Sequence, residues 1–200
     1  MAATFTWKSA ERYALFAAVY AFWAVLYFAV GRWNLGRPAS VIVWDPVWHF
    51  PKISAFVIPY LSAFAMPFLV LATMRDRRTF RRFSLIGAAT FVVSSAFFAA
   101  WPLTILRYQT GTGLFDRMLE WLYLVDKPTN LFPSLHVSMA FLFAKAVAYV
   151  RPKWNPWMVG WATLVAASTL FIRQHYLVDV IGGIIMAYAG WWLFLRWERR

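Results

Sequence analysis

Two hundred residues, 62% of them in the apolar AVILMFWYC set and 14% charged, exclude an ordinary soluble domain: a typical globular chain carries about 25% charged residues, and a fold this small leaves much of its chain at the surface. Nineteen Phe and thirteen Trp suit a membrane, where indole rings favour the interface. The net charge of +12 raises nucleic acid and anionic lipid as partners, but it lies in short clusters between apolar runs, as at Arg75, Arg77, Arg78, Arg81 and Arg82, where the positive-inside rule puts it; no nucleic-acid partner is expected. The absence of Cys excludes structural disulfides and thiolate chemistry.

Six apolar runs follow in chain order, and they predict an all-α integral membrane bundle of six transmembrane helices in a single membrane domain, residues 1–200. The first covers 13–30. Glu11 in the would-be basic leader, and the lack of a small-x-small site before Gly31, argue for a span rather than a signal peptide. The second covers 53–73, the third 83–105, and the last three 137–150, 157–172 and 180–195. At about 1.5 Å per residue those three reach only about 21 to 24 Å, short of the roughly 30 Å hydrocarbon core. Either these helices extend through their polar leading residues or those residues sit recessed in a protein-lined cavity.

With both termini on one side, twelve basic residues fall there: Lys8, Arg12, the five Arg of 75–82, Arg151, Lys153, Arg196, Arg199 and Arg200. Arg32, Arg37, Lys52, Arg107, Arg117, Lys127 and Arg173 fall opposite, and Lys145 is close enough to the terminal side to snorkel there. This split predicts cytoplasmic termini, with the opposite face periplasmic or extracytoplasmic in a bacterial inner (plasma) membrane. That outer face receives the segment 33–52, rich in turn residues and aromatics, and the loop 107–133. Within the loop Leu114, Phe115, Met118, Leu119 and Leu122 fall roughly on one face, as in an amphipathic interfacial helix.

Ionisable side chains at membrane depth are costly and call for partners or a functional cavity. Under this topology Arg107, Ser134, His136, Arg173, His175 and Asp179 all meet at the outer face. Ser134 is placed to cap the next helix, and free amides at a helix start form an anion site. His175 and Asp179, four apart, share a helical face; a carboxylate accepting from one imidazole nitrogen leaves the other as the reactive base. Two alternatives stay open on the residues alone: a metal site, for which only the remote His49 offers a third ligand, and a structural hydrogen-bond network.

The sequence PSLH at 133–136 and the spacing Ser168, His175, Asp179 resemble the second and third motifs of the type 2 phosphatidic-acid phosphatase (PAP2) superfamily of membrane lipid phosphatases and phosphotransferases. Leu135 stands where the second motif has Gly, and Thr169 where the third has Arg. Of the first motif only Arg107 matches, with Ala100 for Lys and Tyr108 for Pro. This reduced set, with HYLVD at 175–179, is also similar to the inositol phosphorylceramide and sphingomyelin synthase branch. The resemblance covers roughly 53–195, the expected catalytic core. It implies His175 as nucleophile, Asp179 as its orienting carboxylate, His136 as general acid and Ser134 as phosphate ligand. The amides at the helix start, Leu135 included, and Arg107 hold phosphate oxygens; Arg173 or Lys127 supplies a further cation from the outer loops.

The expected activity is hydrolysis of a lipid phosphate or diphosphate through a phosphohistidine, with no metal and no cofactor. Transfer to an alcohol acceptor is the alternative. Water is placed ahead because no polar acceptor pocket is recognisable and the loops are short, so a second substrate would go unpositioned. A non-enzymatic transporter is the reading from another class, against which stands the clustering of polar residues at one boundary rather than at broken helices near the midplane. The expected partners are the lipid substrate and the surrounding membrane lipids.

Overall fold

A computed structural model of the protein describes residues 9–200; Lys8, counted above among the basic residues, lies outside the described residues. The described chain is helical without strands, in the order α1 (Ser9–Asn34), α2 (Val57–Ser62), α3 (Met66–Thr73), α4 (Arg77–Ala100), α5 (Leu114–Val125), α6 (Leu135–Val150), α7 (Asn155–Phe171) and α8 (Leu177–Glu198). Each of the six apolar runs contains helix. Four segments, 10–34, 54–73, 77–100 and 177–198, are long and apolar enough to cross a membrane, whereas α6 and α7 have 16 and 17 residues.

Local chemistry sets the boundaries. The second apolar run is broken into α2 and α3 by a 3-10 turn at Ala63–Ala65; Pro67 in the first turn of α3 has no N–H to carry the ladder through. The third helix differs from the expected 83–105 at both ends. Asp76 caps α4 by accepting from Thr79 N at 2.7 Å, so the helix takes in the basic cluster and starts at Arg77. At the other end Pro102 disfavours a helical Trp101, whose ψ is 81°, and α4 stops at Ala100. Arg107 therefore lies in an extended loop and not at the end of a span.

Apolar on every side, α6 belongs in the centre, and it packs against α3, α4, α7 and α8. Its approach to α8 is close enough to require glycine. A Cβ at Gly183 would stand 2.7 Å from the Ser134 carbonyl oxygen, and one at Gly182 would meet the Phe132 ring at 2.7 Å. Outside this core α1 lies along α4, Trp23 stacking on Phe91 with centroids 5.7 Å apart, and leaves Phe22, Val25 and Phe28 exposed.

The two ends of the bundle differ in kind. At one, Arg77 pairs with Glu11 at 3.2 Å and Arg82 with Glu198 at 3.3 Å. At the other the ends of α1, α4 and α7 meet the starts of α6 and α8. Asn34 Nδ2 donates to the carbonyls of Phe98 and Thr129, Ile53 N to that of Phe171, and Ser134 N to that of Asp179 at 3.0 Å. Segments 35–53 and 101–113 cross this second end and are joined by an isolated bridge between Ser40 and Leu103. Below them lies α5, with Leu119 and Leu122 buried and Leu114, Phe115, Trp121 and Leu124 exposed. Its start is fixed by Asp116, which accepts from Lys52 and Ser54, each at 2.6 Å. Those two hydrogen bonds hold the Asp116 pKa down to about 2.

The α6–α8 contact is testable through its glycine. Gly183→Ala puts a methyl against a backbone carbonyl that cannot swing aside, and should cost about 1–3 kcal/mol, read as a lower thermal midpoint in detergent. Gly160→Ala, on α7 with nothing within 4 Å, should not lower it. Equal midpoints for the wild type and Gly183→Ala would contradict the close approach.

Candidate active site

Two helix starts build the centre of the second end. Ser134 caps α6, its Oγ accepting from Val137 N at 3.3 Å, and is fully buried, as is Asp179 in the first turn of α8. Asp179 Oδ2 accepts from Tyr176 N at 2.8 Å and lies 3.3 Å from His175 Nδ1. Since the carboxylate oxygen can only accept, Nδ1 carries the hydrogen and Nε2 of a neutral His175 holds the free lone pair. His136, the second residue of α6, brings its ring centroid to 6.1 Å from that of His175. Ser134, His136, His175 and Asp179 thus lie together where the starts of α6 and α8 meet.

The cations behave differently from one another. Arg107 donates to the carbonyls of Tyr123 and Asp126, at 2.9 and 2.5 Å, and to Gln174 Oε1 at 2.6 Å, with its guanidinium 4.5 Å from the Tyr123 ring centroid. Two of these three hydrogen bonds serve the C-terminal carbonyls of α5, where a cation complements the helix dipole. Burial pulls its pKa below the usual arginine value, an effect that Asp126 opposes, and burial likewise pushes the Tyr123 phenol up to about 12. Arg173 has φ 48°, in the left-handed region where a non-glycine residue is strained. Its guanidinium lies between the rings of Tyr108, at 3.7 Å, and Trp48, at 5.1 Å. Rings on the guanidinium faces leave its N–H edges to receive an anion, and its Nε is buried without a partner. Lys127 is exposed. His49 is exposed too, and among the described residues no three His, Cys, Asp or Glu side chains gather as a metal-ligand set.

The positions that depart from the PAP2 motifs have structural roles of their own. Thr169 donates its hydroxyl to the Ala166 carbonyl at 2.7 Å, while its own carbonyl accepts from Gln174 N and His175 N at 2.8 and 3.2 Å, shaping the turn into His175. Tyr108 supplies the ring under Arg173, and its hydroxyl donates to the Phe50 carbonyl.

Several site residues escaped the sequence reading. Asp45, 2% exposed, accepts from Leu177 N and Val178 N, each at 3.0 Å, so the segment 33–52 caps α8. The signal was an Asp before Pro in an aromatic segment, which announces a cap without saying for which helix. Gln174 is 4% exposed; Arg107 holds its oxygen, while its Nε2 is buried without a partner. Asp126 accepts from Tyr27 Oη at 2.6 Å and Tyr60 Oη at 2.8 Å, and Tyr60 Oη lies 3.2 Å from His136 Nδ1. Beside this group a cavity of about 310 Å³ runs among α1, α2, α5 and α6. Its wall includes Trp23, Phe28, Phe64, Trp121 and Met139, together with His136 and Asp126.

Comparison with known proteins gives partial matches. The chain is 34% identical over 81 residues to an uncharacterized protein of Methanocaldococcus jannaschii, covering 40% of this chain and 34% of that one. It is 34% identical over 56 residues to the inositol phosphorylceramide synthase catalytic subunit of Schizosaccharomyces pombe, and 33% identical over 58 residues to that of Saccharomyces cerevisiae. Those matches cover 28% and 29% of this chain but only 13% and 14% of the relatives, so the chain spans between 13% and 34% of the length of the curated relatives it matches. The PAP2 superfamily model matches residues 107–200, a stretch that contains Arg107, Ser134, both histidines of the pair and Asp179. Over residues 107–200, therefore, this chain is similar to the PAP2 superfamily.

Proposed function

We propose that the protein is a membrane lipid-phosphate phosphatase acting through a phosphohistidine on His175. The observation that carries the reading is the pair of imidazoles, 6.1 Å apart between centroids, with one of them held by Asp179. Neutral His175 attacks phosphorus through Nε2, the bond from phosphorus to the ester or anhydride oxygen breaks, and His136 gives that oxygen a proton. Water then attacks the phosphohistidine, the P–N bond breaks and His136 takes a proton from the water. Phosphate oxygens are held by Ser134, by the start of α6 including Leu135 N, and by Arg173, which stands in for the cation missing at Thr169. Arg107 contributes mainly by fixing Gln174 and the end of α5, with Lys127 at the rim. The cavity beside His136 suits a hydrocarbon tail. No metal or other cofactor enters this scheme, because histidine is itself the nucleophile and cations balance the charge.

The catalytic core of the reading is 53–195 within a single membrane domain. All six apolar helices cross the membrane, with α5 at the interface, the termini cytoplasmic and the histidines at the outer face. A second reading, transfer of a phosphate-containing headgroup to an alcohol, draws support from the similarity to two inositol phosphorylceramide synthase subunits.

Purified protein in liposomes should release inorganic phosphate from a panel of lipid phosphates and diphosphates. Negligible release, with efficient conversion when one alcohol is added, would move the assignment to the second reading. His175→Ala should reduce turnover to background. His136→Ala should cost about 10²- to 10⁴-fold with alkoxide leaving groups, and much less when the leaving group needs no proton; undiminished turnover in both variants would contradict the assignment.

The orientation has its own test, aided by the absence of Cys. Arg78→Cys and Thr112→Cys, both at exposed positions, should label with an impermeant thiol reagent from opposite sides of the membrane. Labelling from the same side would contradict the six-span topology.

A further inference from the structure

Resting on the proposed acid–base role of His136, we propose that Asp126 is a positioning residue for that histidine, acting through Tyr60. The Asp126–Tyr60–His136 chain holds the imidazole with its hydrogen on Nδ1 and so reserves Nε2 for the proton exchanged with the leaving and entering oxygens.

The argument starts from the single hydrogen of a phenol. Tyr60 Oη has two neighbours able to accept it, Asp126 Oδ2 at 2.8 Å and His136 Nδ1 at 3.2 Å. The carboxylate is both nearer and anionic, and charge-assisted hydrogen bonds are the stronger, so the hydrogen goes to Asp126. A lone pair of Oη then faces Nδ1, and that contact is attractive only when Nδ1 bears a hydrogen. The second carboxylate oxygen is also taken, by Tyr27 Oη at 2.6 Å. Around the imidazole, Tyr60 stacks at 4.2 Å between centroids with 30° between planes, and Phe64 meets it edge-on at 5.7 Å. Hydrogen bonding therefore selects the tautomer while the two rings set the plane.

The parts come from four places in the chain: Tyr27 on α1, Tyr60 on α2, Asp126 just after α5 and His136 on α6. Asp126 is anchored by its backbone, its N–H donating to the Leu122 carbonyl at 2.8 Å and its own carbonyl accepting from Arg107. The other titratable groups facing His136 are His175, 6.1 Å away, and behind it Asp179; Arg107 faces Asp126. The proton balance closes without the relay giving up a proton. His136 passes its Nε2 hydrogen to the departing oxygen and keeps that on Nδ1. In the second half Nε2 takes a proton from water, and Tyr60 and Asp126 end each half-reaction as they began it.

A latch that only ties α1, α2 and α5 together would contain the same hydrogen bonds, so the test must read the imidazole itself. The chain has three His, which makes nitrogen NMR of histidine-labelled protein in detergent tractable, with His136→Ala identifying the signal. At a pH where His136 of the free wild type is neutral, it should show a protonated Nδ1 and a bare Nε2, the imidazolium from which turnover starts carrying its second hydrogen on Nε2. Tyr60→Phe, which keeps the ring and its stack, should shift the signal toward the other tautomer, and Asp126→Asn should do so independently. Tyr27→Phe should not.

In turnover, Tyr60→Phe should lose about 10- to 10²-fold with alkoxide leaving groups, little with a leaving group that needs no proton, and nothing further in a His136→Ala background. An unchanged tautomer in Tyr60→Phe, with equal loss for both leaving groups, would reduce the chain to a latch and overturn the proposal. The NMR readout needs no substrate, so absence of phosphatase activity in the wild type would count against the proposed function and leave the tautomer result to be judged alone.

Discussion

Asp179 is the residue on which the arrangement of the second end depends, because it works through both its backbone and its side chain. Its carbonyl accepts from Ser134 N at the start of α6, and its carboxylate accepts from Tyr176 N at the start of α8 and lies against His175 Nδ1. One residue thereby sets the spacing of two helix starts and the direction of one imidazole. The arrangement is expensive, since a carboxylate with no exposed surface loses its hydration and must recover it from fixed donors. Gly183 makes it possible sterically, by letting α8 approach the carbonyl of Ser134 more closely than any side chain would allow.

Around this contact the connecting segments supply the polar partners that a bare helix end lacks. Free amides at the start of α8 are met by Asp45, from a segment more than a hundred residues earlier, and the carbonyls at the end of α5 by Arg107. Asn34 joins the end of α1 to α4 and to the loop that leads into α6. These bonds run between distant parts of the chain and bring backbone groups, two imidazoles and two guanidinium groups to one end of an apolar bundle. A lipid phosphate needs the same division in its host, with polar groups for the head next to an apolar wall for the tail.

Much of this was legible from the residues. The apolar runs stand out by hydropathy and by the charges between them, and Arg107, Ser134, His136, Arg173, His175 and Asp179 were expected at one face from the crossings those runs imply; the structure places Ser134, His136, His175 and Asp179 at the starts of α6 and α8. What escaped was of two kinds. Helix boundaries moved where a single residue outweighed the hydropathy pattern: Asp76 drew basic residues into α4, and Pro102 ended it five residues early. Long-range partners were invisible because a sequence shows what a side chain offers but not what lies across from it. Arg107 was read as a phosphate ligand, and the structure gives two of its three hydrogen bonds to backbone carbonyls; Asp126, beside the Lys127 that was noticed, binds the tyrosine that touches His136. The aromatic abundance was assigned to the interface, yet Trp48, Tyr60 and Tyr108 surround the site.

The central claim is that phosphorus becomes bonded to His175. Its most direct test is to mix purified protein with a lipid phosphate radiolabelled in the phosphoryl group, quench within a turnover, digest under alkaline conditions and map the labelled peptide by mass spectrometry. The account predicts an acid-labile, alkali-stable phosphoramidate on the peptide containing His175, absent from His175→Ala. Full turnover with no phosphorylated histidine, or with the label on His136 instead, would contradict it.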